Sequence, residues 1–101
     1  MDLTQLPIFN NPAEKRFEVT IDGKFSKLDY IEDDKNFVIT HVGVDPDLRG
    51  SGIAGRIVQV SLEYAQQRNL RVVPMCSYAA AYIRRHPEYA ALTRQKPHDE
   101  S

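Results

Sequence analysis

Residues 44–55 read Val44-Asp-Pro-Asp-Leu-Arg49-Gly-Ser-Gly52-Ile-Ala54-Gly55, which places three glycines close behind one arginine. Glycine lets backbone N–H groups approach a ligand with no Cβ in the way. A helix that begins here leaves its first N–H groups unpaired and carries a partial positive charge at that end. With the Arg49 guanidinium, these groups form a cradle for phosphate. Two phosphate motifs do not fit. There is no Gly-x-x-x-x-Gly-Lys-Ser/Thr, and Gly50-x-Gly52-x-x-Gly55 sits in the wrong order of elements for a dinucleotide fold. A tight strand-to-helix turn with close packing accounts for the same glycines without any ligand, so composition alone leaves both readings open. His41 has the chemistry of a general base near neutral pH, and equally that of a core histidine. Cys76 is the one cysteine, so it forms no internal disulfide and no metal site alone. It is either a thiol nucleophile or a small buried hydrophobe.

The flanking sequence says what must position these residues. Residues 1–13 carry two prolines and the pair Asn10-Asn11, and read as an irregular arm. From Glu14 to Ile21 apolar and polar residues alternate, which is strand periodicity. Asp22-Gly23 is a hairpin signal, and Phe25 to Glu32 forms the return strand. Phe37 to Val44 is β-branched almost throughout and predicts a third strand covered on both faces. The period then becomes helical from Ile53 to Arg68, with Arg56, Gln59 and Glu63 on the polar stripe and Ile53, Ile57 and Val60 on the apolar one. Asn69 is a left-handed stop. Leu70 to Met75 is a short strand, expected parallel to the third, and Tyr78 to Arg85 is a helix ended by Pro87. The fold class is α+β, an antiparallel three-strand meander followed by α-β-α, in the order β-β-β-α-β-α. One domain is expected over residues 14–92, with a frayed tail at 93–101.

Composition bounds the function. The chain has 101 residues, 42% hydrophobic and 27% charged, the profile of a globular protein. Residues 1–48 hold 5 basic and 10 acidic side chains, and residues 49–101 hold 8 basic and 4 acidic. The net charge of −1 argues against an electrostatic nucleic-acid binder, while the second half can attract a polyanion. No apolar run approaches the length of a membrane helix, and the first residues show neither the basic nor the apolar part of a secretory signal. A cytoplasmic protein with no membrane association and no bound metal is expected.

The segment Arg49-Gly50-Ser51-Gly52-Ile53-Ala54, preceded by Val44-x-Pro46, resembles the acetyl-coenzyme A signature Gln/Arg-x-x-Gly-x-Gly/Ala of the GNAT superfamily of N-acetyltransferases. The later run Pro74-Met-Cys76-Ser-Tyr-x-x-x-Tyr82-x-x-x-His86-Pro-Glu-Tyr89 is similar to that of the small single-domain GNAT-like proteins. The resemblance implies a GNAT-like sheet whose third and fourth strands splay apart. Pantetheine would pair with backbone at Val42, Gly43 and Val44, and the pyrophosphate would lie on the amides from Arg49 to Gly55. Ser77 and Arg85 would complete the acetyl-CoA contacts. The thioester would lie near Cys76, which would either take the acetyl group or line the site, and Tyr82 would protonate the leaving thiolate.

The sequence also departs from that pattern. The family's glutamate base falls where this chain has Thr40; the nearest histidine, His41, lies one residue on and belongs to the opposite face of a regular strand. The two helices that wall the acceptor pocket in fuller members have no counterpart between the first strands, so an open acceptor site is expected. That suits a protein lysine, a polyamine or another exposed amine. The expected activity is acetyl-CoA-dependent transfer of an acetyl group to a primary amine, with Cys76, His41 and Tyr82 around the thioester. The alternative is a CoA- or acyl-CoA-binding module with little turnover. An open sheet edge predicts a monomer or a weak homodimer.

Overall fold

The computed structural model describes residues 2–94. It is a mixed α+β structure with one five-stranded sheet in the order β1-β2-β3-β4-β5 and three helices. The strands are β1 (Phe9–Asn11), β2 (Arg16–Ile21), β3 (Lys24–Glu32), β4 (Asn36–Val44) and β5 (Arg71–Pro74). Helix α1 (Ile53–Gln67) connects β4 to β5, and α2 (Ser77–Arg85) and α3 (Ala90–Arg94) follow. The first four strands are antiparallel neighbours, while β4 and β5 are parallel.

Local chemistry accounts for the turns. Asp22 and Gly23 have φ of 52° and 77° between the paired residues Ile21 and Lys24. Two consecutive positive φ values close a two-residue hairpin whose twist matches its strands. Asp33 Oδ1 accepts from the amides of Lys35 and Asn36 at 2.8 and 2.7 Å and closes the next turn. Asn69, at φ 57°, ends α1 in the left-handed region.

One face of the sheet is covered. Phe17 and Val19 of β2, Leu28 and Tyr30 of β3, and Phe37 and Ile39 of β4 are buried with Ile53, Ile57, Val58 and Leu62 of α1. Burying each such side chain contributes roughly 1.5–3 kcal/mol. The opposite face is open: Phe25 and Ile31 are exposed there, and Val38 is only half-buried. β4 is therefore covered on one face, not two. Its β-branched content marks strand propensity, but the helices pack on one side only.

Two further elements differ from the sequence reading. The arm at 1–13 supplies β1, whose Phe9 pairs with Glu18 and Asn11 with Arg16. Asn10 is held by Tyr30, whose hydroxyl donates to its Oδ1 at 2.6 Å. α3 follows the Pro87–Tyr89 turn and packs on β5, with Leu92 buried. Of the expected frayed tail, residues 95–101 lie outside the described residues.

Candidate functional site

The cleft begins where two parallel strands separate. The β4–β5 register runs from Asn36↔Arg71 to Ile39↔Pro74 and stops. The Ile39 carbonyl then accepts from both Met75 N and Cys76 N, at 3.0 and 3.3 Å, as the chain turns into α2. β4 continues to Val44, paired only with β3. Among the described residues, the backbone from Thr40 to Val44 has no strand partner on the β5 side. An unpaired strand edge is a template for an extended ligand that carries amides.

That edge runs toward the glycine turn. Gly50 and Gly52 have φ of 81° and 91°, a region that favours glycine. Gly52 is the N-cap of α1 and supplies no side-chain cap. Within the described residues, the amides of Gly50, Gly52, Ile53, Ala54 and Gly55 have no backbone acceptor, the first helical turn bond being Arg56 N to the Gly52 carbonyl at 3.1 Å. This is a row of free donors at the positive end of a 15-residue helix. A cleft of about 650 Å³ joins the two features. It is lined by β4 from His41 to Val44, by Leu48, Arg49, Gly50 and Gly52 of the turn, by Ile53 and Ala54 of α1, and by Tyr78 of α2. Its size suits a small organic ligand.

His41 reaches the cleft through an irregularity in β4. Asp29 pairs with His41 and Tyr30 with Ile39, so Thr40 is an extra residue in the β3–β4 ladder. Its hydroxyl donates to the Asp29 carbonyl at 3.2 Å. Strict alternation from the buried Phe37 and Ile39 would aim residue 41 into the core. The bulge re-aims it, as bulges do, and His41 stands on the open face with its side chain 61% exposed. Its Nδ1 lies 3.8 Å from Asp29 Oδ2, and the same oxygen is 2.7 Å from Lys27 Nζ.

The remaining sequence candidates lie outside this lining. Ser51 is consumed by the turn, since both its amide and its hydroxyl donate to the Leu48 carbonyl. Gly55 lies in the first turn of α1, where a Cβ would stand 3.3 Å from Tyr82 Cε2 and 3.5 Å from the Tyr78 hydroxyl. Cys76 is the N-cap of α2, half-buried and packed on the core with no side-chain capping bond. Ser77 is the exposed first residue of α2. Arg85 is exposed in the last turn of α2, about 12 Å along the helix from Ser77. Tyr82 is buried and stacks on His86 at a ring separation of 3.9 Å. Burial, with Tyr89 and Glu88 as further causes, pushes its phenol above the ordinary range.

The tyrosine of the cleft is thus Tyr78 and not the expected Tyr82. Residues four apart share a helix face, so spacing relates Tyr78 to Tyr82 without saying which one faces the ligand. The signal for Tyr78 is its place in the first turn of α2, beside the end of β5. Asp29 stands opposite His41 only because of the bulge, which spacing alone does not show.

A family model described as GCN5-related N-acetyl-transferase matches residues 16–92, well over half of the chain. No curated protein matches it. The matched range runs from β2 into α3 and includes the bulge, the glycine turn and the start of α2.

Proposed function

We propose that this chain, which belongs to the GCN5-related N-acetyltransferase family, transfers the acetyl group of acetyl-CoA to an exposed primary amine. The observation that carries this reading is the meeting, in one cleft, of an unpaired strand edge and the free amides at the start of α1. An arm of amides and a pyrophosphate are the two chemistries these features recognise. Acetyl-CoA, when bound, supplies a thioester activated for attack by an amine.

The chain's own residues divide the work. The β4 edge at Val42–Val44 would hold the pantetheine amides, and the amides of Gly50, Gly52, Ile53 and Ala54 would hold the pyrophosphate. Arg49, exposed on the rim, adds a guanidinium to the phosphates. His41 would take a proton from the acceptor ammonium and free the nitrogen lone pair for attack on the carbonyl carbon. As the carbon–nitrogen bond forms and the carbon–sulfur bond breaks, Tyr78 would give its phenolic proton to the departing sulfur. After passing that first proton to solvent, His41 would take up the second proton lost by the nitrogen, and solvent then deprotonates His41 and reprotonates Tyr78. Direct transfer is favoured over a Cys76 acetyl-enzyme because Cys76 lies outside the cleft lining.

The acceptor is proposed as a protein lysine or a polyamine, reached from the open sheet face, and the setting as cytoplasmic. No helix among the described residues is long and apolar enough to cross a membrane. The test is thiol release from acetyl-CoA with spermidine and with lysine peptides. His41→Ala should lower turnover by a factor on the order of 10²–10⁴, the usual worth of a positioned base. Intact mass should show no acetyl group on Cys76 during turnover. Binding without thiol release for every amine tried would favour the acyl-CoA-binding alternative.

A further inference from the structure

We infer that Asp29 is the positioning residue for His41; this deepens the proposed transfer and rests on His41 being its base. The two residues are directly opposed across the β3–β4 ladder, and the Thr40 bulge keeps them on one face. Thr40 ties the strands there by donating to the Asp29 backbone carbonyl. Asp29 Oδ2 is fixed by Lys27 Nζ at 2.7 Å and faces His41 Nδ1 at 3.8 Å. The contact to His41 is a charge–dipole or ion-pair distance, longer than a hydrogen bond. A carboxylate beside Nδ1 favours the tautomer with the proton there, which leaves the Nε2 lone pair for the acceptor.

The backbone beneath the ring has the matching shape. A Cβ on Gly43 would stand 3.1 Å from His41 Cε1 and 3.6 Å from Nδ1. The imidazole therefore lies over a bare α-carbon, within reach of Asp29 and in the lining of the cleft. The charged groups beside it are Lys27 and Asp29 from β3, and Arg49 shares the cleft lining.

The experiment is a nitrogen-15 imidazole spectrum of the full chain as wild type, Asp29→Ala and Asp29→Glu, at a pH where His41 is neutral, with turnover measured in parallel. Wild type should hold His41 with its proton on Nδ1. Asp29→Ala should shift it toward the Nε2-protonated form and lower kcat about tenfold with KM for acetyl-CoA unchanged. Asp29→Glu should recover both. The same spectrum reports whether each variant is folded, and Asp29→Asn, which keeps the shape, serves if the alanine variant is not. An unchanged tautomer in Asp29→Ala, or in Asp29→Asn together with unchanged kcat, would overturn the assignment. The tautomer is read without turnover. An inactive wild type with an Asp29-dependent ring would therefore count against the proposed transfer and not against the Asp29–His41 contact.

Discussion

Tyr82 packs against the bare α-carbon of Gly55, where a Cβ would lie 3.3 Å from its Cε2. This close approach brings the first turn of α1 against α2, and the Tyr82 ring also stacks on His86. The hydroxyl of Tyr78 approaches the same glycine, and Tyr78, unlike Tyr82, lines the cleft. The two tyrosines therefore separate experimentally. Tyr82→Phe keeps the packing ring and should leave kcat within about twofold. Tyr78→Phe should lower kcat by roughly 10-fold or more, as the loss of a positioned proton donor does. Steady-state kinetics of both variants, with thermal melts as controls, check this.

The glycine turn makes a prediction about stability. Gly50 and Gly52 both have positive φ, which costs an alanine about 1–2 kcal/mol. A Cβ at Gly50 meets nothing within 4 Å, whereas one at Gly52 meets Leu3 Cδ1 at 2.9 Å. Each alanine variant should melt several degrees lower, about 4–8 °C per kcal/mol for a domain of this size. Only Gly52→Ala should also displace the Leu3–Gln5 turn, visible as amide shifts at those residues.

Much of this arrangement was legible in the sequence. Alternation in Phe17–Ile21, the Asp22-Gly23 turn and the 3.6-residue period after Ile53 specify the meander and the crossover helix by local rules. The Thr40 bulge was not, because an extra residue exists only relative to its partner strand. β1 escaped for a related reason: three residues between prolines carry no period, and their strand character comes from pairing with Arg16–Glu18. The glycine turn between β4 and α1 was readable from residue type and order, but a phosphate cradle and a tight structural turn use the same glycines, so its role was not. Nor was the choice between Tyr78 and Tyr82, since it depends on where α2 starts relative to the end of β5.

The aromatic cluster under α1 sets an alkaline limit on stability. Tyr64 donates to Glu32 Oε1 at 2.6 Å, and its ring lies 5.3 Å from Phe17 and 5.7 Å from Phe37. Burial first, then the hydrogen bond and charge of Glu32, push its phenol from an ordinary 10.0 up to about 12. The fold thus favours the neutral phenol. Below about pH 10 both folded and unfolded chains carry it neutral, and the stabilising contribution is intact. As pH rises from there through about 12, the unfolded chain ionises first and stability is lost. Glu32→Gln should lower the Tyr64 titration, followed by ultraviolet absorbance or by ring resonances. A Tyr64 titration unchanged by that substitution would remove Glu32 as a cause.

If the β4 edge and the start of α1 form one acyl-CoA site, an amide-resolved titration with acetyl-CoA will show it. The expected result is a set of saturable shifts at Val42–Val44, at Arg49, Gly50 and Gly52–Ala54, and at Tyr78. Arg49→Ala should weaken binding, and added salt should reduce the difference between the two proteins. No shift at millimolar ligand, or saturable shifts confined to other surfaces, would contradict a joint acyl-CoA site and leave the glycine turn with a structural role alone.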